Sequence, residues 1–250
     1  MEAPFLSVVI PAYNEEARLG PTLERLCQYY ADRDYSFDVT VVSDGSSDRT
    51  EAIVEEFAAT HPGFRLVAYR PNRGKGCAVR TGMLAAKGEV ILFCDADMAT
   101  PQEETEKLLA HMRDGADVAI GSRPLKESRL ERHQPWLREM LGRASNQLIQ
   151  LLAVRGIHDT QCGFKMFTRE SCADVFARCK LDGFSFDFEA LMIARDLGYR
   201  IDEVPIRWFH QEGSKVVFWR DYPRALRDLV ALRLKGKNRR LRFRADNPAN

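Results

Sequence analysis

Through the first half of the chain, short continuous apolar runs alternate with stretches whose apolar residues recur every three to four positions. The runs predict strands at Leu6–Ile10, Val39–Ser43, Arg65–Ala68, Val90–Cys94 and Asp117–Ile120. The periodic stretches predict helices over Glu15–Tyr30, Asp48–Thr60, Gly76–Lys87 and Gln102–Arg113. Strands and helices in this alternation argue for a parallel sheet with crossover helices. Continuous apolar strands such as Ser7-Val8-Val9-Ile10 suit a sheet covered on both faces. The rhythm changes after Gly121-Ser122-Arg123. A charge-rich stretch from Pro124 to Gln134 leads into a helix near Trp136–Val154. A strand near Met166–Thr168, helices near Arg169–Cys179 and Asp187–Leu197, and a strand at Ile201–Val204 follow. An amphipathic helix from Asp221 to about Lys235 comes last. No internal repeat or low-complexity segment interrupts the chain.

Polar residues gather where the strands should end. Asp95-Ala96-Asp97 closes the run Val90–Cys94, and residues i and i+2 of a strand point the same way. Two converging carboxylates with no fixed cation beside them in sequence suit a hard divalent metal, Mg or Mn, shared with a substrate phosphate. Asp97-Met98-Ala99-Thr100-Pro101 also reads as a turn or cap entering a helix, so on this stretch alone both readings stand. Pro11-Ala12-Tyr13-Asn14-Glu15 follows the first strand, Asp44-Gly45-Ser46-Ser47-Asp48 the second and Asn72-Arg73-Gly74-Lys75-Gly76 the third. Singly, Asp44-Gly45 is an ordinary turn, and Asp48 an ordinary cap with Glu51 in the capping-box position. Together, in a parallel sheet, all four loops fall on one edge, where open α/β folds bind ligands. The glycine loop matches neither the P-loop nor the dinucleotide fingerprint. It can still offer backbone N–H groups and Lys75 to a phosphate at a helix N-terminus, as a nucleoside diphosphate would need.

Composition narrows the classes. With 250 residues the chain can bury a full core, and its formal net charge of +1 makes it no general magnet for nucleic acid. Ten basic residues lie between Arg220 and Arg244 against Asp221 and Asp228, and the tail Lys237–Arg244 lacks the aromatic platform of single-strand binders. Six cysteines, none in a Cys-x-x-Cys pair or at zinc spacing with a histidine, fit a reducing compartment, the cytoplasm. No signal peptide is evident and no apolar run approaches the ~20 residues needed to span a bilayer, so a soluble or peripheral protein is expected. Tyr222, Leu226, Leu229, Val230 and Arg233 fall at helical spacing beside Arg224, Arg227 and Lys235. Such a helix either lies in an anionic membrane interface or packs on its own domain with a solvated outer face. The histidines form no metal pair in sequence, and Trp136 and Trp219 read as core residues.

The four loop motifs, Pro11-x-Tyr13-Asn14-Glu15, Asp44-Gly45-Ser46-x-Asp48, Gly74-Lys75-Gly76 and Asp95-x-Asp97, together resemble the GT-A, family-2 inverting glycosyltransferases. Four later segments are similar to the dolichyl-phosphate β-glucosyltransferase and polyprenyl-phosphate sugar synthase branch. They are Asp159–Lys165, Phe186–Glu189, Glu203–Trp208 and Glu212-Gly213-Ser214-Lys215. The resemblance runs from about Ser7 to Leu234. It implies one GT-A domain over residues 1–236, with a nucleotide half to about 123, an acceptor half from about 124, and a flexible basic tail at 237–250. It also implies a nucleotide-sugar donor, a polyprenyl phosphate acceptor and a divalent metal.

Carried over by position, Pro11, Tyr13, Glu15 and Asp44 would line the base and ribose pocket, and Lys75 would sit near the donor phosphates. Asp95 and Asp97 would hold nucleotide and metal, Asp97 the more directly. Arg123 would face the acceptor phosphate, with Arg138 and Arg143 as further candidates. Gln161, Asp187 and Glu189 would shape the sugar site, and Ser214 and Lys215 match a mobile loop that closes over the diphosphate. Two positions depart from the mannosyl synthases: Ala99 stands where they usually carry a polar metal ligand, and Gly142 where they often carry a serine. Ala99 tilts the expected donor from GDP-mannose to UDP-glucose. The eukaryotic glucosyl enzymes resembled here carry an N-terminal membrane helix, of which this sequence shows none.

The acceptor decides the mechanism. A hydroxyl needs a general base, for which Asp187 or Glu189 would be the first to test, whereas a phosphate monoester is already anionic near neutral pH. The expected reaction is inverting transfer of a hexose, glucose, to a polyprenyl phosphate by an enzyme peripheral to the cytoplasmic membrane face. The alternatives are a GDP-mannose-dependent synthase and a family-2 enzyme with a hydroxyl acceptor. A sugar-1-phosphate nucleotidyltransferase is disfavoured because Pro11–Glu15 does not resemble its glycine-rich first loop. A non-catalytic binder is disfavoured because Asp95 and Asp97 are both present.

Overall fold

The apolar runs become strands of one sheet, buried at its centre and half-buried at the β3 edge. In the computed structural model, which describes residues 3–130, 154, 156–211 and 223–234, the first elements are β1 (Leu6–Ala12), α1 (Leu19–Ala31), β2 (Phe37–Asp44), α2 (Thr50–Ala58), β3 (Phe64–Tyr69), α3 (Lys75–Ala85) and β4 (Val90–Cys94). Next come α4 (Thr105–Arg113), β5 (Val118–Ser122), β6 (Arg129–Leu130), β7 (Phe164–Thr168), α5 (Arg169–Phe176), α6 (Phe186–Asp196), β8 (Ile201–Pro205), β9 (Arg207–Trp208) and α7 (223–234). The main sheet has seven strands in the order β3-β2-β1-β4-β7-β5-β8, and β6 pairs with β9 in a small second sheet. All pairings are parallel except those of β7, which runs antiparallel to both β4 and β5. This mostly parallel sheet with helices on both faces is the α/β, GT-A arrangement expected from the sequence.

Period-two alternation sorts the side chains between two cores. Val8, Ile10, Val39, Val41 and Leu92 pack with α1, α2 and α4 on one face. Val9, Val42, Ile91 and Phe93 pack with α3, α5, α6 and Leu229 of α7 on the other. Every residue of β1 and β4 is buried, which explains their unbroken apolar runs.

The chain leaves β1 to build β2 and β3 on one side, then returns to place β4 on the other. The carboxyl ends of β1 and β4 therefore flank the switch point of the sheet, where such folds bind ligands.

Helix starts differ most from expectation. The stretch from Glu15 was read as helical, but α1 begins at Leu19. Residues 14–16 are stitched to the next loop: the N–H of Asn14 donates to Ser46 Oγ (3.1 Å), that of Glu15 to Thr50 Oγ1 (2.7 Å) and that of Glu16 to Asp48 Oδ2 (3.1 Å). The α2 capping box is also absent. Glu51 accepts from Ser43 Oγ (2.7 Å) and pairs with Arg70 (2.7 Å), while Asp48 Oδ1 takes the Thr50 N–H at 3.0 Å. The helix read at Trp136–Val154 and the basic tail lie outside the described residues.

Candidate active site

The four polar loops do meet at the switch point, and two of them are knitted by backbone contacts. Asp44, at the end of β2, accepts from Arg73 N (2.7 Å), Gly74 N (2.8 Å) and Asn72 Nδ2 (2.9 Å). Gly74 has φ of 110°, and a Cβ there or on Gly76 would strike the backbone of residues 181–183. The Cys77 N–H donates to the Asp182 carbonyl (3.2 Å) as well as to that of Gly74 (3.0 Å). These amides were expected to meet a phosphate. The structure corrects this: three of them bind the protein itself, and the loop's charged offering is the Lys75 ammonium.

Lys75 Nζ lies 2.6 Å from Asp95 Oδ1, in a pair whose side chains are 22% and 31% exposed. Burial opposes the charge on Lys75, but Asp95 and Asp187 outweigh it and hold the ammonium above the ordinary lysine value. Asp97 Oδ1 accepts the Ala99 N–H at 3.0 Å, closing a tight turn in which Met98 takes φ of 48°. Burial first, and the neighbouring Asp95 charge second, push the Asp97 carboxyl above the usual carboxylate range. The floor beneath Asp95 is Gly163. Its carbonyl accepts the Asp95 N–H (3.2 Å), and a Cβ built on it would fall inside the Asp95 carboxylate. Cys94, Asp95, Met98, Ala99, Thr100, Gly163, Phe164 and Trp208 line a shallow pocket beside the pair.

The pair's chemistry fits a divalent cation. Asp95 already draws an ammonium, and Asp97 lies near enough that, after burial, the Asp95 charge raises its carboxyl. Among the described residues no three His, Cys, Asp or Glu side chains gather around a common point. The protein would therefore supply one or two carboxylates and leave the remaining positions to phosphate and water, as Mg sites commonly do.

Arg123 follows β5 and is fixed by Asp159, through Nε (2.6 Å) and Nη2 (2.8 Å). Burial opposes both charges, yet each holds the other ionised: Arg123 is raised and Asp159 lowered. The Arg123 guanidinium also stands 5.6 Å from the centre of the Trp208 ring. Glu203 supports this corner by accepting the N–H groups of His158 (2.7 Å) and Asp159 (2.8 Å) and the Ser122 hydroxyl (2.9 Å).

Two expected site carboxylates prove to be committed. Asp187 is buried in an ion pair with Lys165, and Glu189 Oε2 accepts the backbone N–H groups of Lys180 (3.0 Å) and Leu181 (2.8 Å). Pro11 is buried in β1, Tyr13 is 39% exposed, and Gln161 is exposed on the loop before β7. Glu15 pairs with Arg18 at 2.7 Å. Arg138, Arg143, Ser214 and Lys215 lie outside the described residues. Sequence reasoning gave no role to Gly163, Lys165 or Trp208. A lysine inside the apolar strand Phe164–Thr168 was the available signal.

The order and direction of the strands in this mostly parallel sheet are those of the GT-A glycosyltransferase fold. A model of glycosyl transferase family 2 matches residues 7–176, and the chain belongs to that family. It is similar to the dolichyl-phosphate beta-glucosyltransferases of Mus musculus (37% identical, covering 92% of this chain and 75% of the relative) and Drosophila melanogaster (38%, covering 86% and 70%). Among solved structures it resembles glucosyl-3-phosphoglycerate synthase from Mycobacterium tuberculosis in complex with Mn2+, UDP-glucose and phosphoglyceric acid. The TM-score is 0.66 at 18% identity, covering 91% of this chain and 79% of that one. Mannosyl-3-phosphoglycerate synthase from Rubrobacter xylanophilus gives 0.68 at 19%, covering 94% and 75%.

Proposed function

We propose that this glycosyltransferase moves glucose from UDP-glucose to a dolichyl or related polyprenyl phosphate, with inversion at the anomeric carbon. The observation that carries the proposal is the Asp95–Asp97 pair at the switch point with the Lys75 ammonium seated on Asp95. The relatives' activities support the sugar and the acceptor, and the UDP-glucose in a structure of the same fold supports the donor.

Asp95 and Asp97 would hold a Mg or Mn ion, which when bound neutralises charge on the departing diphosphate. Lys75 shares that task and turns from Asp95 to the phosphates. Pro11, Tyr13, Glu15 and Asp44 would border the nucleoside, Gln161 the sugar, and Ser214 and Lys215 the outer side of the diphosphate. Arg123, oriented by Asp159 and still 30% exposed, would receive the acceptor phosphate, with Arg138 and Arg143 as its partners. A phosphate oxygen is already a nucleophile, so the protein's work is alignment and charge management. The commitments of Asp187 and Glu189 favour this acceptor over a hydroxyl, which would need one of them as a base.

Membrane contact falls to α7. Leu229 and Leu232 enter the core, while Leu226, Val230 and Leu234 stand exposed among Arg224, Arg227 and Arg233. Leu229 thus leaves the expected interfacial stripe for the core, and Leu234 replaces it. No helix among the described residues is long and apolar enough to cross a membrane. Docking at the cytoplasmic face through the outer stripe fits this division.

The test is incubation with Mg or Mn, a panel of UDP- and GDP-sugars and a short polyprenyl phosphate, following lipid-linked sugar. UDP-glucose should be the preferred donor. Transfer from no donor, with nucleotide sugar formed from a sugar phosphate instead, would refute the proposal.

A further inference from the structure

The Lys165–Asp187 pair has no part in the mechanism above, yet its side chains are only 2% and 6% exposed. Lys165 stands on β7 opposite Phe93 of β4, and Asp187 lies in the first turn of α6. Lys165 Nζ also donates to the Cys162 carbonyl at 2.5 Å. Lys75 reaches the same ring from α3: its Nζ is 5.4 Å from the Phe93 centroid, and that of Lys165 is 5.8 Å. Two ammonium groups therefore lie near one aromatic ring, each with its own carboxylate, Asp95 for Lys75 and Asp187 for Lys165. Lys75 is the other ammonium whose charge acts on Asp187. A buried carboxylate deprived of its cation is strongly unfavourable, more so than a half-exposed one. With Lys165 neutral, Lys75 is the ammonium left to act on an ionised Asp187, which then competes with Asp95 for it.

We propose that Lys165 is a positioning residue: by satisfying Asp187 it leaves the Lys75 ammonium to Asp95 and to the donor diphosphate. This rests on the donor site described under the proposed function. It separates the two lysines by duty. One meets the ligand, and the other keeps the first in place without touching it.

The test measures affinity for UDP-glucose with Mn2+ by calorimetric titration, steady-state transfer, and thermal unfolding for the wild type, Lys165→Met and the double variant Lys165→Met/Asp187→Asn. Lys165→Met should bind donor at least about tenfold more weakly, with a larger change in KM than in kcat. The double variant removes the competing charge together with its partner and should return to within about threefold of wild type. A pair that merely held the fold would show the same rescue in thermal unfolding, so the deciding readout is donor affinity at a temperature where Lys165→Met is fully folded. A double variant no better than Lys165→Met overturns the proposal, as does a Lys165→Met protein that binds like wild type. Should Lys165→Met not fold, Lys165→Gln, which keeps a donor for the Cys162 carbonyl, takes its place in the same comparison. Wild-type protein that binds no nucleotide sugar would refute the donor site itself, a result separable from any ranking of the variants.

Discussion

Two lysine–aspartate pairs lie close to Phe93, and they differ in access to water. Lys75–Asp95 is 22% and 31% exposed, whereas Lys165–Asp187 is sealed at 2% and 6%. A half-open pair can exchange partners with an incoming phosphate or metal, because water and ligand replace what each side loses. A sealed pair has no such substitute and acts as fixed scaffolding. The difference teaches why motif reading matched Lys75 to the phosphates but took Asp187 for a sugar-site carboxylate and gave Lys165 no role. Chemistry that meets ligands concentrates polar residues in loops, while chemistry that supports it hides one charge in a strand and its partner in a distant helix.

The largest effect expected is at the open end. Asp97→Asn should lower transfer by about 10²-fold or more, measured as initial rate with the preferred donor. The same change should not weaken the fold. A carboxyl raised in the folded state contributes stability below its unfolded pKa and loses that contribution as pH rises through the folded value. Neutralising Asp97 should therefore raise Tm at neutral pH by a few degrees, about 2–4 °C for ~1 kcal/mol in a chain of this size. A fall in Tm would contradict the assignment of Asp97 as a strained charge.

Next comes Gly163→Ala, whose methyl must displace the Asp95 carboxylate. Loss of about tenfold in rate, ~1.4 kcal/mol, is expected, and unchanged kinetics would show that Asp95 need not sit where it does. Stability should then separate the two pairs in denaturant titrations. Lys165→Met should cost about 3–5 kcal/mol as a broken buried pair, against about 1 kcal/mol or less for Lys75→Met. Equal costs would erase the distinction drawn between them. The smallest effect on chemistry should come from α7. Leu226→Ser with Val230→Ser should leave transfer to a short, detergent-dispersed acceptor within about twofold while reducing sedimentation with anionic vesicles. Leu229→Ala should instead destabilise the fold by about 2–5 kcal/mol.

Much of this was legible in the sequence. Each main-sheet strand from β1 to β4 was visible as an apolar run, and the strand read at Val90–Cys94 has those same limits in the structure. The convergence of four loops followed from parallel topology alone. What was not legible depended on partners distant in sequence. The start of α1 moved because Ser46, Asp48 and Thr50 claim the amides before it. The glycine loop looked like a phosphate cradle because the counterclaims of Asp44 and Asp182 on its amides have no local signature. The same holds for Glu189, whose Oε2 is claimed by amides nine and eight residues upstream. The direction of β7 was equally hidden. An isolated apolar run does not say which way it threads, and here the reversal delivers Gly163 and Lys165 to β4.

That reversal makes the Gly163–Asp95 contact a thermodynamic link between distant parts of the chain. The carboxylate proposed to hold the donor rests on a floor supplied by a strand some seventy residues later. Ligand on Asp95 should therefore slow amide hydrogen exchange in β7, although no donor atom need touch that strand. On the proposed donor site, affinity for nucleotide sugar would gauge whether β7 is folded, and a destabilised β7 would surface first as weakened donor binding.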